Sequence, residues 1–236
     1  MLTRVTRFDI ATVRRVVLGR RFLENAEAAM NYHIAKPSDS ADIVRLLANV
    51  FSESDPPAVA MGLSVGEMEQ FLQLLVPKVI PYGLTVVSRS KETGKLAGAF
   101  LTDDFASPPA LQFSQINSKF RPIFSMLEIL DAQFRSRRTI SVGEGLHLFM
   151  LGVDRQFAGR GVGNALVKTC VDNGCKKGYR IAVTEATGRV SQHIFRKNSF
   201  VERFSVSYRE FVHENKLVFA SIKQHEKAIL MDRSLV

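Results

Sequence analysis

Apolar residues along this chain recur at two alternating spacings, one suited to a helix face and one to a strand. Residues 32–36 predict a short strand, which Pro37-Ser38-Asp39 stops while supplying a helix cap. Ile43, Leu46, Leu47, Val50 and Phe51 then fall on one helical face. The segment Ser52-Glu53-Ser54-Asp55-Pro56-Pro57 must break that helix, because a residue before proline is pushed out of the helical region. A second helix carries Met68, Phe71, Leu72 and Leu75 as its apolar stripe. Residues 84–89 and 96–101 predict strands joined by the hairpin loop Lys91-Glu92-Thr93-Gly94-Lys95.

The longer connection over 107–140 contains Phe120, Ile123, Phe124, Leu127, Leu130 and Phe134, a helical stripe, so an inserted helix is expected there. Residues 146–153 are almost wholly apolar and predict a central strand. Gly159-Arg160-Gly161-Val162-Gly163 opens a helix to about residue 177 that buries Leu166, Val167, Cys170 and Val171. A strand at 181–184, a helix at 189–197 and strands at 200–208 and 217–223, the last extending towards 230, complete the chain. The order is β-α-α-β-β-(α)-β-α-β-α-β-β, an α/β chain with a mixed sheet.

Composition narrows the class. A chain of 236 residues with 46% hydrophobic positions buries a real core without disulfides. A charged fraction of 23% beside 17 Phe excludes wholesale disorder. No apolar run approaches the ~18–20 residues of a membrane span, so no membrane partner is expected. Cys170 and Cys175, five apart, lie on different sides of a helix and make neither a metal site nor a disulfide framework; a reducing cytoplasm is the expected compartment. Of the net charge of +9, residues 1–29 hold six Arg against Asp9, Glu24 and Glu27. That stretch has no serine and no clear cleavage site, which leaves two readings: a transit peptide, or an upstream extension with Met30 as an alternative start. The expected organisation is a basic extension over 1–29, outside the fold, and one domain over 30–236. No helix-turn-helix, zinc-finger or RNA-stacking signature accompanies the charge, so a polyanionic small ligand is expected rather than nucleic acid.

The glycine turn carries the chemistry. A strand ending at Val153, a glycine-rich turn and then a helix present free N–H groups at a helix N-terminus, an arrangement that holds phosphate. The same glycines also suit a plain tight turn. A P-loop is excluded because the turn ends Gly163-Asn164 rather than Gly-Lys-Ser/Thr. A dinucleotide fold is excluded because the loop follows the fourth strand, not the first.

The run Leu151-Gly-Val-Asp-Arg-Gln-Phe-Ala-Gly-Arg-Gly-Val-Gly163 closely resembles motif A of the GNAT acyl-CoA N-acyltransferases, and the element order from Met30 onward matches as well. The resemblance implies a mixed, mostly antiparallel sheet of about seven strands flanked by helices. It also implies acetyl-CoA as co-substrate and no metal. CoA would be held by Leu151, Gly152 and Val153 on the strand and by Gly159, Arg160, Gly161, Val162, Gly163 and Asn164 on the loop. Two positions depart from the family. The Arg/Gln that wraps the pyrophosphate falls on Ala158, leaving backbone donors and Arg160 for the phosphates. The tyrosine that protonates the leaving thiolate falls on Phe195, which has no proton to give, with Gly188 and Ser199 at the accompanying Asn and Gly positions.

Residues 51–56 and 186–191, with Tyr208, Lys216-Leu-Val-Phe219 and His225, resemble the invertebrate arylalkylamine N-acetyltransferases. There the glutamate of Phe-x-x-x-Glu-Pro is the proposed base, a position held here by Asp55, and two hydroxyl residues that relay protons fall on Thr187 and Ser191. Each has a plainer reading: Asp55 as a turn residue before proline, Thr187 and Ser191 as helix caps. His147, in the central strand at a parity opposite to Leu146, Leu148 and Met150, is either a hydrogen-bonded core residue or a proton relay, and His225 stands similarly. Arg135, Arg137 and Arg138 form a solvated basic face or a contact for CoA phosphates. The resemblance therefore implies acetyl transfer to the primary amine of a small molecule, an arylalkylamine first, by direct attack in a ternary complex, in a monomer or homodimer. Other acceptors (polyamine, amino acid, antibiotic, protein amine) and a catalytically silent acyl-CoA sensor are the alternatives.

Overall fold

The computed structural model describes residues 29–236, and the basic extension lies outside them except for Ala29. Around one sheet the elements run β1 Met30–Ile34, α1 Ser40–Ser54, α2 Pro56–Ala60, α3 Val65–Val79, β2 Val86–Ser90, β3 Leu96–Asp104 and α4 Arg121–Arg137. They continue with β4 Gly145–Val153, α5 Val162–Lys176, β5 Ile181–Ala186, α6 Arg189–Lys197, β6 Val201–Ser207 and β7 Lys227–Ser234. The sheet order is β1-β2-β3-β4-β5-β7-β6, with β4 and β5 its one parallel pair. One apolar core joins the sheet to α1, α3 and α4, and a second joins its other face to α5 and α6.

Local chemistry explains the breaks. Asp55 leaves the helical region with ψ 120° ahead of Pro56, ending α1 as expected. Ser64 and Glu67 then start α3 with a capping box, each side chain bonding the other's backbone N–H. The strand at 96–101 runs three residues further than the pattern suggests and buries Asp103 and Asp104 at its end.

Two features of β4 shape the site. Leu101 pairs with Met150 and Thr102 with Leu148, which leaves Phe149 as a bulge. The bulge reverses the alternation, so Met150 joins the core on the α1 and α3 face, while Leu146 and Leu148 face α5. Met150 thus departs from the simple parity expected of it. β4 also pairs with β5 only from Gly145↔Ile181 to His147↔Val183. Thr184 Oγ1 closes that junction by donating to the Leu148 carbonyl at 2.8 Å, and beyond it the strands are no longer paired.

The expected strand at 217–223 is absent; residues 208–226 form a loop, and the seventh strand lies at Lys227–Ser234. Phe211 stacks on Phe219 at 5.2 Å, and Tyr208 meets Phe219 edge-on at 5.8 Å. Phe219 and Ile222 of that run plug the core while Leu217 is exposed, a use that strand spacing cannot distinguish from a ladder.

Candidate active site

A cleft of about 1030 Å³ opens where β4 and β5 part. At one end, Asp154 accepts from Gln156 N at 2.8 Å and starts a short turn that anchors buried Phe157. Gly159 (φ +74°) and Gly161 (φ +82°) then take left-handed conformations that side chains other than glycine's resist. Gly161 precedes α5 and supplies no side-chain cap, so the first-turn N–H groups of Val162, Gly163 and Asn164 have no intrahelical acceptor. Gly163 serves packing: a Cβ there would lie 3.1 Å from Ile194 Cδ1. An open, uncapped helix start with two left-handed glycines fits a pyrophosphate, whose charge also meets the favourable end of the helix dipole.

Of the residues expected to hold CoA, Leu151, Val153, Gly159, Gly161, Val162, Gly163 and Asn164 line the cleft, as does Ala158. Gly152 faces α1 instead, where a Cβ would come within 2.5 Å of Leu47 Cδ2. Arg160 is exposed, its guanidinium 5.6 Å from the Phe157 ring, and it borders a smaller pocket with Lys91 and Lys95. Phe195 packs between Phe100 and Phe200 and brings no hydroxyl to the cleft. Arg135 and Arg137 lie over Phe105 and Phe204 on the exposed end of α4, outside the cleft lining, as does Arg138.

The other end is built from side chains. Asp55 Oδ2 accepts from Ala58 N at 3.0 Å and caps α2, while Thr187 Oγ1 donates to Asp55 Oδ1 at 2.5 Å. Asp55 is therefore both a cap and a cleft residue. Burial raises its pKa to about 6, against the lowering by the Thr187 and Ala58 hydrogen bonds. Tyr208 steadies Thr187 by donating to its carbonyl at 2.6 Å. Ser191 lines the cleft but is engaged at the start of α6, donating to the Gly188 carbonyl at 2.9 Å. His225 Nδ1 accepts from Arg189 N at 3.1 Å, and burial together with the Arg189 charge lowers its pKa. Phe51, Phe71, Phe120, Phe124 and Phe149 wall this end.

His147 belongs to a group of acids that sequence reasoning missed. Its Nδ1 meets Asp103 Oδ1 at 2.8 Å and its Nε2 meets Glu185 Oε2 at 2.9 Å. With a carboxylate on each nitrogen the ring is held as an imidazolium, and its pKa stands well above the ordinary value although burial opposes the charge. Asp131 on α4 abuts Glu185; burial and the Glu185 charge raise its pKa to about 8. Of this group Glu185 lines the cleft. The available signal was the polar Thr102-Asp103-Asp104 run opposite His147, which mimics a turn. No group of three or more His, Cys, Asp or Glu suited to a metal ion occurs among the described residues. Cys170 is buried, its thiol pushed up to about 12, and neither cysteine lines the cleft.

Sequence comparison with family models and with curated proteins finds no match. Solved structures match in fold. The C-terminal condensation domain of Ebony, solved with beta-alanyl-dopamine, aligns with a TM-score of 0.80 at 16% identity over 87% of this chain and 98% of that one. Arylalkylamine N-acetyltransferase 2 from Aedes aegypti aligns at 0.75 and 18% over 88% and 99% of the two chains. The Drosophila melanogaster polyamine N-acetyltransferase aligns at 0.69 and 16% over 87% and 99%. The chain has the GNAT fold, the architecture that the glycine motif implied.

Proposed function

We propose that this protein is an N-acetyltransferase that moves an acetyl group from acetyl-CoA to the primary amine of a small molecule. The observation that carries the reading is one continuous cleft with an uncapped, glycine-led helix start at one end and the Asp55–Thr187 pair at the other. Acetyl-CoA supplies the activated thioester. Main-chain donors of residues 159–164 hold the pyrophosphate, and the unpaired edge of β4 at Leu151 and Val153 receives the pantetheine arm. Main-chain N–H groups of that edge polarise the thioester carbonyl.

An alkylamine is protonated at neutral pH, so it must lose a proton before it attacks. Asp55 takes it, directly or through a water, and Thr187 aims the carboxylate. With a pKa of about 6, Asp55 is ionised at pH 7 yet basic enough to accept a proton. The thiolate takes its proton from a group other than residue 195, which is phenylalanine; Ser191 is the cleft hydroxyl proposed for it. The phenylalanine walls accept an aryl ring, the acceptor expected from the sequence resemblance, and equally a cationic chain through cation–π contact. A thiol-release assay with acetyl-CoA and a panel of amines tests the reading. Turnover of at least one amine is expected; CoA binding with no thiol released by any amine would make the protein an acyl-CoA sensor.

A further inference from the structure

A buried proton lies beside the cleft. The carboxyls of Asp131 and Glu185 are hydrogen-bonded to each other, which two such groups can be only when one of them is protonated. Glu185 Oε1 and Asp131 Oδ1 are otherwise buried without a donor. Burial would raise the Glu185 pKa too, but the charge and hydrogen bond of His147 keep it ionised, so the proton resides on Asp131. The charged groups packed around the pair are engaged elsewhere. His147 also meets Asp103, Arg135 donates to the Phe105 carbonyl and lies over that ring, and Asp232 on β7 accepts from Arg203 at 2.7 Å. Position gives the pair its use. β4 and β5 last pair at His147↔Val183, and Thr184 bonds the Leu148 carbonyl. The next step in that register sets Glu185 across from Phe149, the bulge residue, where the strands part. Glu185 lines the cleft there; Asp131 stands behind it and does not.

We propose that the Asp131–Glu185 pair is the acid of the reaction, with Glu185 delivering to the departing sulfur the proton that Asp131 holds. This rests on the acetyltransferase reading and adds the proton source that Phe195 lacks. Ser191, which donates to the Gly188 carbonyl, holds no proton to spare and can at most relay one. A pantetheine arm laid along β4 past Val153 and Leu151 brings its thioester to Phe149, facing Glu185. The amine nitrogen first gives one proton to Asp55, and its lone pair then forms the C–N bond. The C–S bond breaks with its electron pair on sulfur. The Asp131 proton moves to Glu185 and on to sulfur, directly or through one water. The second proton shed by nitrogen refills the pair, and the one on Asp55 leaves to solvent. Each turnover of an ammonium substrate thus releases one proton. The acidities suit the transfer, since the pair loses its proton at about 8 and a thiol titrates near ~8.5.

The test is Asp131→Asn, which keeps the shape and the donor to Glu185 but has no proton to give up. Acceptors are 2-phenylethylamine and butylamine, each saturating with acetyl-CoA. Wild-type kcat is expected to fall as pH rises through about 8, where the pair loses its proton. In Asp131→Asn, kcat at pH 7 should be about 10²-fold lower and that fall should be absent. The amine KM and the thermal shift with acetyl-CoA should stay as in wild type, because residue 131 lies outside the cleft lining. General damage to the site would move both. Glu185→Gln should lose turnover in the same way, and Asp131→Asn serves if that variant fails to fold. Infrared spectra of ligand-free wild type should carry a protonated-carboxyl band at pH 7 that is gone by pH 9 and is missing from Asp131→Asn. A missing wild-type band, a wild-type kcat profile in Asp131→Asn, or a loss that leaves the fall through pH 8 in place would overturn the acid while leaving the acetyltransferase reading standing. The band in place with no thiol released by any amine would instead overturn the reading beneath it.

Discussion

At the loop over residues 159–164 the groups offered to a ligand are main-chain N–H groups; at the far end of the same cleft they are side-chain oxygens of Asp55, Thr187 and Glu185. The first set comes from one continuous stretch of chain, the second from the α1–α2 joint, β5 and the turn after it. A backbone site depends on φ and on helix position, so single substitutions damage it through conformation. A side-chain site depends on distant elements meeting, so substitutions damage it through charge and hydrogen bonding. The two ends should consequently fail in different assays.

The sharpest separation is expected from Gly161→Val. At φ +82° a β-branched residue is strained, and its side chain would occupy the anion's place. Acetyl-CoA at about 100 times its Kd should stabilise the wild type by about 2.7 kcal/mol, and this variant should show no thermal shift with the same ligand. A normal shift would mean that the pyrophosphate binds elsewhere. Asp55→Asn should show the converse: an intact acetyl-CoA shift with kcat reduced about 10²-fold near pH 7. Because Asp55 is pushed up to about 6, wild-type turnover should rise with pH through that value, a limb the variant should lack. The stability sign is opposite. A carboxyl with a raised folded pKa stabilises fully below its unfolded value near 3.8 and loses that contribution as pH rises through about 6. The melting temperature of Asp55→Asn relative to wild type should therefore climb between pH 4 and pH 7.

The same division decides what the sequence discloses. Glycine spacing after an apolar strand is a local signal, and the loop and the helix it opens both follow from local patterns. Asp55 and Thr187 were legible one at a time, but not the hydrogen bond between them, because 132 positions of chain separate the two. Asp103 was hidden because Thr-Asp-Asp at a strand end looks like a turn. Asp131 sat inside a helical stripe, and Glu185 followed a strand taken to stop at Thr184. Their meeting around His147 depends on the bulge at Phe149, where strand alternation misplaces Met150. The final strand was misplaced for a related reason: an apolar run records burial, not whether a ladder or a plug achieves it.

Ala158→Arg tests whether the backbone end can be improved by a side chain. Residue 158 is exposed and borders the cleft beside the loop. A guanidinium there adds a charge-assisted bond to phosphate at the cost of ordering a long side chain, so CoA binding should tighten by about tenfold or less. The gain should shrink with added salt. If affinity does not change in low salt, the phosphates do not pass residue 158.

Thr187→Val asks the subtlest question of the side-chain end. The substitution keeps the branched shape and removes the donor to Asp55 Oδ1. That hydrogen bond favours the ionised carboxylate, so its loss should carry the Asp55 pKa above about 6, since burial is the larger influence and now meets less opposition. The acidic limb of kcat/KM should move upward with it. At pH 7 a smaller fraction of Asp55 is then ionised, and turnover should fall several-fold, within the range of a pKa displaced by about one unit. At pH 9 the deficit should largely close, because Asp55 is ionised either way. The expected signature is a displaced limb with a preserved plateau. A uniform loss at every pH would make Thr187 a positioning group alone, holding the carboxylate in place without tuning its charge. An unchanged profile would show that the proton leaves the amine by a route that does not use Asp55.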